Sequence, residues 1–312
     1  MHWGFLPAIG LLALLHYVCS ALVLQAAAGR RLPMREATLT QFTAAAANRL
    51  APGGIGAAAV NARYLTCRGL SAPQALAAVA AAQTATFAGD TVLLCTVLTI
   101  GAGTGGGGGR MLRTLAEQID DAVTAVPPSW LAAVALVVVA LGSYVWRRRR
   151  RGRLGTVLAA TLTALAELRH RPGDLLRAVL ASMATSMTLS LAFALSVLSV
   201  PGASSPGALT TLLAAYFIGA AAGSAVPVPA GIGSTEAALV AVLGGAGIST
   251  GPALQAIVVF RAITYWAPVP IGILSARVLR RHPTLPAPGA TVPGATVPGA
   301  TVPGATVPLT VT

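Results

Sequence analysis

Residues 227–236 read Pro-Val-Pro-Ala-Gly-Ile-Gly-Ser-Thr-Glu, a segment that is broken by prolines and glycines and carries one acid within apolar sequence. Lipid offers no hydrogen bonds to the backbone, so irregular backbone at membrane depth is tolerated only against protein or a water-filled cavity. A carboxylate there is costly and marks a candidate functional site. A weaker copy, Pro-Gly-Gly-Ile-Gly, lies at residues 52–56. Two such breaks, one in each half of the chain, predict a transporter-like site.

The composition is typical of a polytopic membrane protein. Of the 312 residues, 55% are hydrophobic and only 9% are charged, which does not fit a soluble domain. The net charge of +13 comes from arginine clusters between apolar runs, which indicate membrane topology and contacts with lipid headgroups rather than nucleic-acid binding. The sequence contains no lysine, which excludes Walker-A ATPase chemistry and a lysine Schiff base.

Metal-binding and catalytic patterns are not recognisable in the sequence. Cys19, Cys67 and Cys95 are widely spaced, and the four histidines are scattered, which fits neither a disulfide framework nor a zinc site. No Ser-His-Asp or Cys-His arrangement is recognisable either. We therefore expect a protein that is not an enzyme, with no catalytic residues, metal or cofactor.

Apolar runs that reach the roughly 20 residues needed to cross a bilayer predict an all-α membrane protein. Five spans are predicted at residues 4–28, 71–100, 129–146, 174–200 and 251–279. The apolar regions 37–68 and 207–247 contain the two breaks, and each predicts a helix–break–helix hairpin that returns to its starting side of the membrane.

Two further segments are predicted to lie outside the bilayer. Residues 154–171 are mildly amphipathic and predict an interfacial helix in the cytoplasm. Residues 282–312 carry Pro-Gly-Ala-Thr-Val four times in tandem, and this composition predicts a disordered tail.

The arginines also predict the orientation of the chain. Placing the cluster at residues 147–153 in the cytoplasm makes the first hairpin open inward and the second outward, with a cytoplasmic C-terminal tail. The halves, about 1–126 and 127–281, then form inverted repeats in an inverted-repeat helical bundle, a transporter design whose site lies near the midplane. Gly-Leu-Ser-Ala-Pro-Gln-Ala-Leu at 69–76 resembles Gly-Ile-Ser-Thr-Gly-Pro-Ala-Leu at 247–254, a register that matches Gln83 with Arg261.

Four charged residues at membrane depth are the candidate substrate-binding residues: Glu236, Arg261, Arg49 and Asp90. Glu236 is the third residue of a helix predicted to start at Ser234, where its carboxylate can cap the helix or face a cavity and receive a cationic headgroup or a proton. Arg261 needs a carboxylate, a phosphate or water. It therefore either forms a structural ion pair with Glu236 or holds a lipid phosphate. Asp90 and Arg49 are predicted to form a second buried pair.

The remaining motif residues are expected to shape the cavity rather than to contact substrate. They are Asn48, Pro52, Gly54, Gly56, Pro227, Pro229, Gly231 and Gly233. Glycines permit close backbone approach and unusual dihedrals, and prolines end helices. Tyr265 and Trp266 are interpreted as packing residues, and with Pro268 and Pro270 they predict a kink in the last helix.

The sequence resembles the lysylphosphatidylglycerol synthase transmembrane-domain family, the flippase-like region of those synthases. The resemblance is carried by Val-Pro-Ala-Gly-Ile-Gly-Ser-Thr-Glu-Ala-Ala-Leu at 228–239, by Asn-Arg-Leu-Ala-Pro-Gly-Gly-Ile-Gly at 48–56 with Asn-Ala-Arg-Tyr-Leu at 61–65, and by Phe-Arg-Ala-Ile-Thr-Tyr-Trp at 260–266. It covers roughly residues 10–281 and implies a single flippase-like transmembrane domain at residues 1–281.

The sequence departs from the family pattern in three ways. Ala57 stands where many relatives carry an acid after the first break. The N-terminus is expected to be one helix shorter than in most members. The residues after 281 do not resemble the aminoacyltransferase domain, so lysyl transfer is not expected.

Three functions stay open. The resemblance favours a flippase-like protein that binds or translocates an anionic or aminoacylated phospholipid, or a glycolipid, across the cytoplasmic membrane without hydrolysing ATP. The alternatives are an accessory transmembrane subunit of a split lipid-modifying synthase, with a partner transferase, and a small-solute secondary transporter. Nucleic acid is not expected as a partner.

Overall fold

The computed structural model describes residues 2–50, 55–103, 171–203, 209–225 and 233–281, together with Ala166. Within these ranges the chain is helical and has no strand, which confirms the all-α prediction. The helices are α1 (Leu6–Ala28), α2 (Met34–Leu50), α3 (Ile55–Cys67), α4 (Ala72–Gly103), α5 (Pro172–Leu198), α6 (Leu209–Ala225), α7 (Ser234–Gly245), α8 (Thr250–Arg261) and α9 (Pro268–Arg281).

Several predicted features fall outside the described residues. They are the span at 129–146, the interfacial helix at 154–171, the boundary between the halves, the tail at 282–312, and the motif residues Pro52, Gly54, Pro227, Pro229 and Gly231.

Four stretches of the described chain are long and apolar enough to cross a membrane: Trp3–Ala28, Ala72–Ile100, Pro172–Leu198 and Thr250–Leu279. They confirm four of the five predicted spans to within a few residues. The local sequence explains their ends. Pro7 lies in the first turn of α1, and Gly29 closes that helix with a φ of 60°, the usual arrangement of proline at a helix start and glycine at its end.

The last stretch is not a uniform helix. A π-helical segment, Ala262–Trp266, joins α8 to α9. Pro268, at the start of α9, has no backbone N–H to continue the regular hydrogen-bond ladder. The predicted irregularity therefore lies at Tyr265, Trp266 and Pro268, where the sequence placed it.

Both predicted hairpins are present as closely packed antiparallel helix pairs, α2 with α3 and α6 with α7. A Cβ atom on Gly56 would lie 2.3 Å from the Ala47 carbonyl oxygen, and one on Gly223 would lie 2.5 Å from Thr235 Cα. A glycine in each hairpin thus lets the two backbones approach more closely than any side chain would allow. The first hairpin is also held by a hydrogen bond of 3.1 Å from Gln41 Nε2 to Asn61 Oδ1.

The turns that follow the two hairpins have the same backbone geometry. Gly69 and Gly247 are 178 residues apart (247 − 69), and their φ angles are 86° and 87°. The next residue donates its N–H back to a leucine carbonyl in both turns: Leu70 to Leu65 at 3.2 Å and Ile248 to Leu243 at 3.0 Å. This is the six-to-one hydrogen bond of a helix ended by a left-handed residue. The sequence echo at 69–76 and 247–254 is therefore also a structural repeat.

Helix packing follows the same repeat. The helices α1 and α5 lie side by side and antiparallel: the His2 N–H donates to the Ser199 carbonyl at one end (2.8 Å), and Arg171 Nη1 donates to the Gly29 carbonyl at the other (3.5 Å). α2 packs on α9, and α6 packs on α4. Equivalent helices that run antiparallel, with matching partners, are what two inverted halves produce.

The buried side chains form two apolar clusters. The larger one surrounds Phe193, Leu239 and Ile257, whereas the smaller one lies among Leu24, Leu65 and neighbouring alanines. Many of the buried residues are alanines, as expected where helices pack without a hydrophobic drive from water.

Candidate functional site

A cavity of about 400 Å³ lies where the helices of the two halves meet. Its walls come from α1, α2, α5, α6, α7, α8 and the π-helical segment. Two of the four predicted binding residues, Arg49 and Arg261, line it, and so does the motif residue Asn48. Glu236 follows the lining residue Thr235 and pairs with Arg261. Three of the four predicted charged residues thus come together at one place.

Arg261 and Glu236 form the predicted ion pair, with 3.0 Å between Nε and Oε1. The Arg261 side chain is only 13% exposed, and that of Glu236 is 30% exposed. The Nε–H of Arg261 nevertheless does not point along this contact, so the pair is held by charge and not by a directional hydrogen bond. An ion pair without that hydrogen bond is easier to exchange for another anion than a bidentate one.

Glu236 also caps its helix, as predicted. The Gly233 N–H donates to Glu236 Oε2 at 2.7 Å, while Oε1 faces Arg261. Gly233 has a φ of 90°, in the left-handed region that favours glycine, and a Cβ there would touch nothing within 4 Å. The capping and ion-pair interpretations are therefore both correct. The cap fixes the position from which the carboxylate meets Arg261.

Tyr265 joins the two arginines of the cavity. The guanidinium carbon of Arg49 lies 4.1 Å from the centre of the Tyr265 ring, and that of Arg261 lies 4.8 Å from it. Both distances are within the range of cation–π attraction. The sequence predicted only a packing role for Tyr265, so this bridging contact is a role that sequence reasoning missed. The spacing of four residues from Arg261 was the available signal, since residues four apart share a helix face.

Arg49 has aromatic partners but no carboxylate partner in the described part of the chain. Besides Tyr265, the Tyr17 hydroxyl lies within hydrogen-bonding reach of it. Its Nε atom is buried and has no hydrogen-bond acceptor among the described residues. Two guanidiniums and one carboxylate leave one positive charge uncompensated, so the cavity favours an anionic group.

Asp90 does not pair with Arg49, and that prediction is wrong. Asp90 lies on α4 and accepts a short hydrogen bond from the Ser186 hydroxyl of α5, while Arg49 lies on α2 against Tyr265. Contacts between α4 and α5 hold Asp90, whereas α2 packs on α9. The sequence could not show which helices are neighbours, so the charges alone paired two residues that the fold separates.

The two described motif residues of the first hairpin differ in what they do. Gly56 sits in the helix contact described above, which matches its predicted structural role. Asn48 lines the cavity, and its Oδ1 atom is buried without a hydrogen-bond donor among the described residues. Asn48 is thus a further polar group at the site, beyond the shaping role that the sequence predicted.

A second cavity, of about 540 Å³, lies between the end of α1 and the start of α5. Arg30, Arg31 and Arg177 line it together with Asp174. The three arginines are exposed.

The fold and the cavity define an all-α membrane protein in which two helix hairpins pack around a positively charged site. The family comparison agrees: the sequence model of the lysylphosphatidylglycerol synthase transmembrane region matches residues 1–272. The chain belongs to this family. Comparison with curated proteins gave no match.

Proposed function

We propose that this protein binds a phospholipid or glycolipid by an anionic headgroup in the central cavity and moves it across the cell membrane. The observation that carries the proposal is the pair of guanidiniums, Arg49 and Arg261, on the single ring of Tyr265. A planar guanidinium matches the geometry of a phosphate oxygen pair and loses little hydration when it binds one.

In this proposal, Glu236 competes with the lipid phosphate for Arg261. The carboxylate occupies Arg261 when no lipid is bound, and a lipid phosphate that enters the cavity displaces it. The displaced carboxylate is then placed to receive a cationic group of the same headgroup, such as an ammonium. Binding and release therefore exchange one ion pair for another, which avoids leaving a buried charge alone.

The orientation in the membrane is part of the proposal. The two hairpins open to opposite faces, so a site between them can be reached from each leaflet in turn. The C-terminal tail and the arginines of the second cavity lie in the cytoplasm, following the distribution of positive charge.

A headgroup-accessibility assay in proteoliposomes tests the proposal. Vesicles of phosphatidylcholine containing fluorescent phosphatidylglycerol are treated with an impermeant quencher, and the fraction of protected label is followed over time. Glu236→Gln and Arg261→Ala should each slow lipid redistribution by about tenfold or more, the loss expected for a charge-assisted contact. Arg35→Gln, which changes an exposed arginine on the same helix as Arg49, serves as the matched control.

Unchanged redistribution in both Glu236→Gln and Arg261→Ala would count against lipid movement through this cavity. Equal slowing in Arg35→Gln would show that the variants act through general charge or folding instead.

A further inference from the structure

Asp90 is the charged residue at membrane depth that the lipid site does not use. It lies near the middle of α4, within the apolar stretch Ala72–Ile100 that is long enough to cross a membrane, and it does not line the central cavity. An acid at this depth requires a partner, because an ionised carboxylate without a cation is very unfavourable in a low-dielectric environment. Glu236 has Arg261 as its counter-charge. Asp90 has no such counter-charge in the described part of the chain.

The groups around Asp90 are hydroxyls. Ser186 of α5 donates to Asp90 Oδ1. Ser182 lies one helical turn before Ser186 and therefore on the same face of α5. Its Oγ faces Gly89, at 3.2 Å from where a Cβ atom would stand. That Oγ is buried and has no hydrogen-bond partner among the described residues, whereas Ser196 on the same helix bonds to a backbone carbonyl at 2.8 Å.

The other titratable groups near α4 are accounted for. From α6, Tyr216 is close enough to interact electrostatically with both Asp90 and Arg261. From α1, His16 contacts the Thr185 carbonyl and Tyr17 stacks on Phe42. The charged groups of α3 lie in its last turns, beside the start of α4, and those of α5 lie in its first turns. No described cation faces the carboxylate.

We propose that Asp90, with Ser186 and Ser182, forms a proton-binding site within the membrane. A proton neutralises the acid without further ligands, whereas hard metal cations take about six oxygen ligands. The described side chains here supply one carboxylate and two hydroxyls. Tyr216, which lines the lipid cavity, is close enough to interact electrostatically with both Asp90 and Arg261, so a change of charge at Asp90 should alter the electrostatic potential in that cavity. The proton site stands by itself, and its coupling to lipid movement rests on the function proposed above.

Infrared difference spectroscopy on the protein in phosphatidylcholine nanodiscs tests the proton site directly. A pH step should produce a carbonyl-stretch band of a protonated carboxylic acid in the wild type. This band should be lost in Asp90→Asn and shifted in frequency in Ser186→Ala, which removes the hydrogen bond. Asp174→Asn, at the partly exposed start of α5, and Ser196→Ala are the matched controls and should leave the band in place.

Persistence of this same band in Asp90→Asn would overturn the assignment. So would a carboxyl band that sodium chloride removes at constant pH, because it would identify Na⁺ as the occupant in place of the proton.

The coupling is tested in the proteoliposomes with a pH gradient. If one proton moves per lipid, a gradient of one pH unit biases the leaflet ratio of fluorescent phosphatidylglycerol by up to about tenfold. Asp90→Asn should remove this bias and leave lipid movement without a gradient in place. A wild-type ratio that does not respond to the gradient would overturn the coupling. An Asp90 infrared band in a protein that moves no lipid would leave the proton site standing and refute the proposed function.

Discussion

At the scale of single residues, the central cavity is defined by an imbalance of charge. Arg261 is partly neutralised by Glu236, but Arg49 is held by aromatic groups. A cation that is stacked on rings keeps its charge available to a ligand while its position is fixed. This explains how two arginines can share one cavity among apolar helices although their charges repel each other.

Replacing Arg49 should distinguish the contribution of its positive charge to lipid binding from that of its planar shape. Arg49→Gln should weaken binding of a short-chain phosphatidylglycerol by about 10- to 100-fold, the loss expected for a hydrogen bond to a charged group. Arg49→Lys should restore part of this affinity, because lysine keeps the charge but not the planar fork. Isothermal titration calorimetry in nanodiscs measures both values, and Arg35→Gln is the control. Equal affinities for wild type and Arg49→Gln would exclude Arg49 from the site.

Tyr265 should hold the two arginines through its ring and not through its hydroxyl. Tyr265→Phe should change the affinity for the same lipid by less than about threefold, whereas Tyr265→Leu should weaken it by about 3- to 30-fold, in line with cation–π energies at partly buried sites. The same calorimetric titration compares the two variants. A larger loss in Tyr265→Phe than in Tyr265→Leu would contradict the bridging role of the ring.

At the scale of elements, the two broken hairpins depend on close backbone contact. Gly56 on α3 has the Ala47 backbone in the space where a Cβ would lie, and Gly223 on α6 has Thr235 there. Overpacking at such contacts forces the helices apart. The hairpins carry Arg49 and Glu236, so their spacing also sets the width of the cavity.

Gly56→Ala should therefore destabilise the protein by about 1–3 kcal/mol. Gly10→Ala is the matched control, because a Cβ at Gly10 meets nothing within 4 Å and alanine is favoured over glycine within a helix by about 1 kcal/mol. Thermal unfolding in detergent, followed by circular dichroism, should give a lower Tm for Gly56→Ala and an unchanged or higher Tm for Gly10→Ala. The same Tm shift in both variants would argue against the close-contact explanation.

At the scale of the whole molecule, the repeat gives a test of orientation. Ser71 and Ser249 occupy equivalent exposed positions, each two residues after a glycine with a left-handed φ. If the halves are inverted, the turn at Ser71 faces the cytoplasm and the turn at Ser249 faces the outside. Chemical labelling from each side of the membrane tests this arrangement.

Single cysteines at these two positions provide the measurement. In a background in which Cys19, Cys67 and Cys95 are replaced, Ser249→Cys should react with an impermeant maleimide in intact cells. Ser71→Cys should react only after the cells are opened. Labelling of both positions from one side would refute the inverted topology.

Much of this architecture follows from local chemistry and was therefore predictable from the sequence. The lengths of the apolar runs predict the spans, since a lipid-facing helix must satisfy its own backbone hydrogen bonds. The Gly-Ile-Ser-Thr segment at 247–250 and its counterpart at 69–72 predict the repeat, because a left-handed glycine followed by a helix start is a local requirement. The cap by Glu236 also follows from its position three residues after Gly233.

The partners of the charged residues were decided by tertiary structure alone. The sequence proposed Glu236 with Arg261, which is confirmed, and Asp90 with Arg49, which is wrong. Both proposals rested on the same rule that buried charges seek opposite charges. Which of them forms depends on the packing of α2 against α9 and of α4 against α5 and α6. The charge of a residue predicts which type of partner it requires. Only the arrangement of the helices places Arg49 beside Tyr265 and Asp90 beside Ser186.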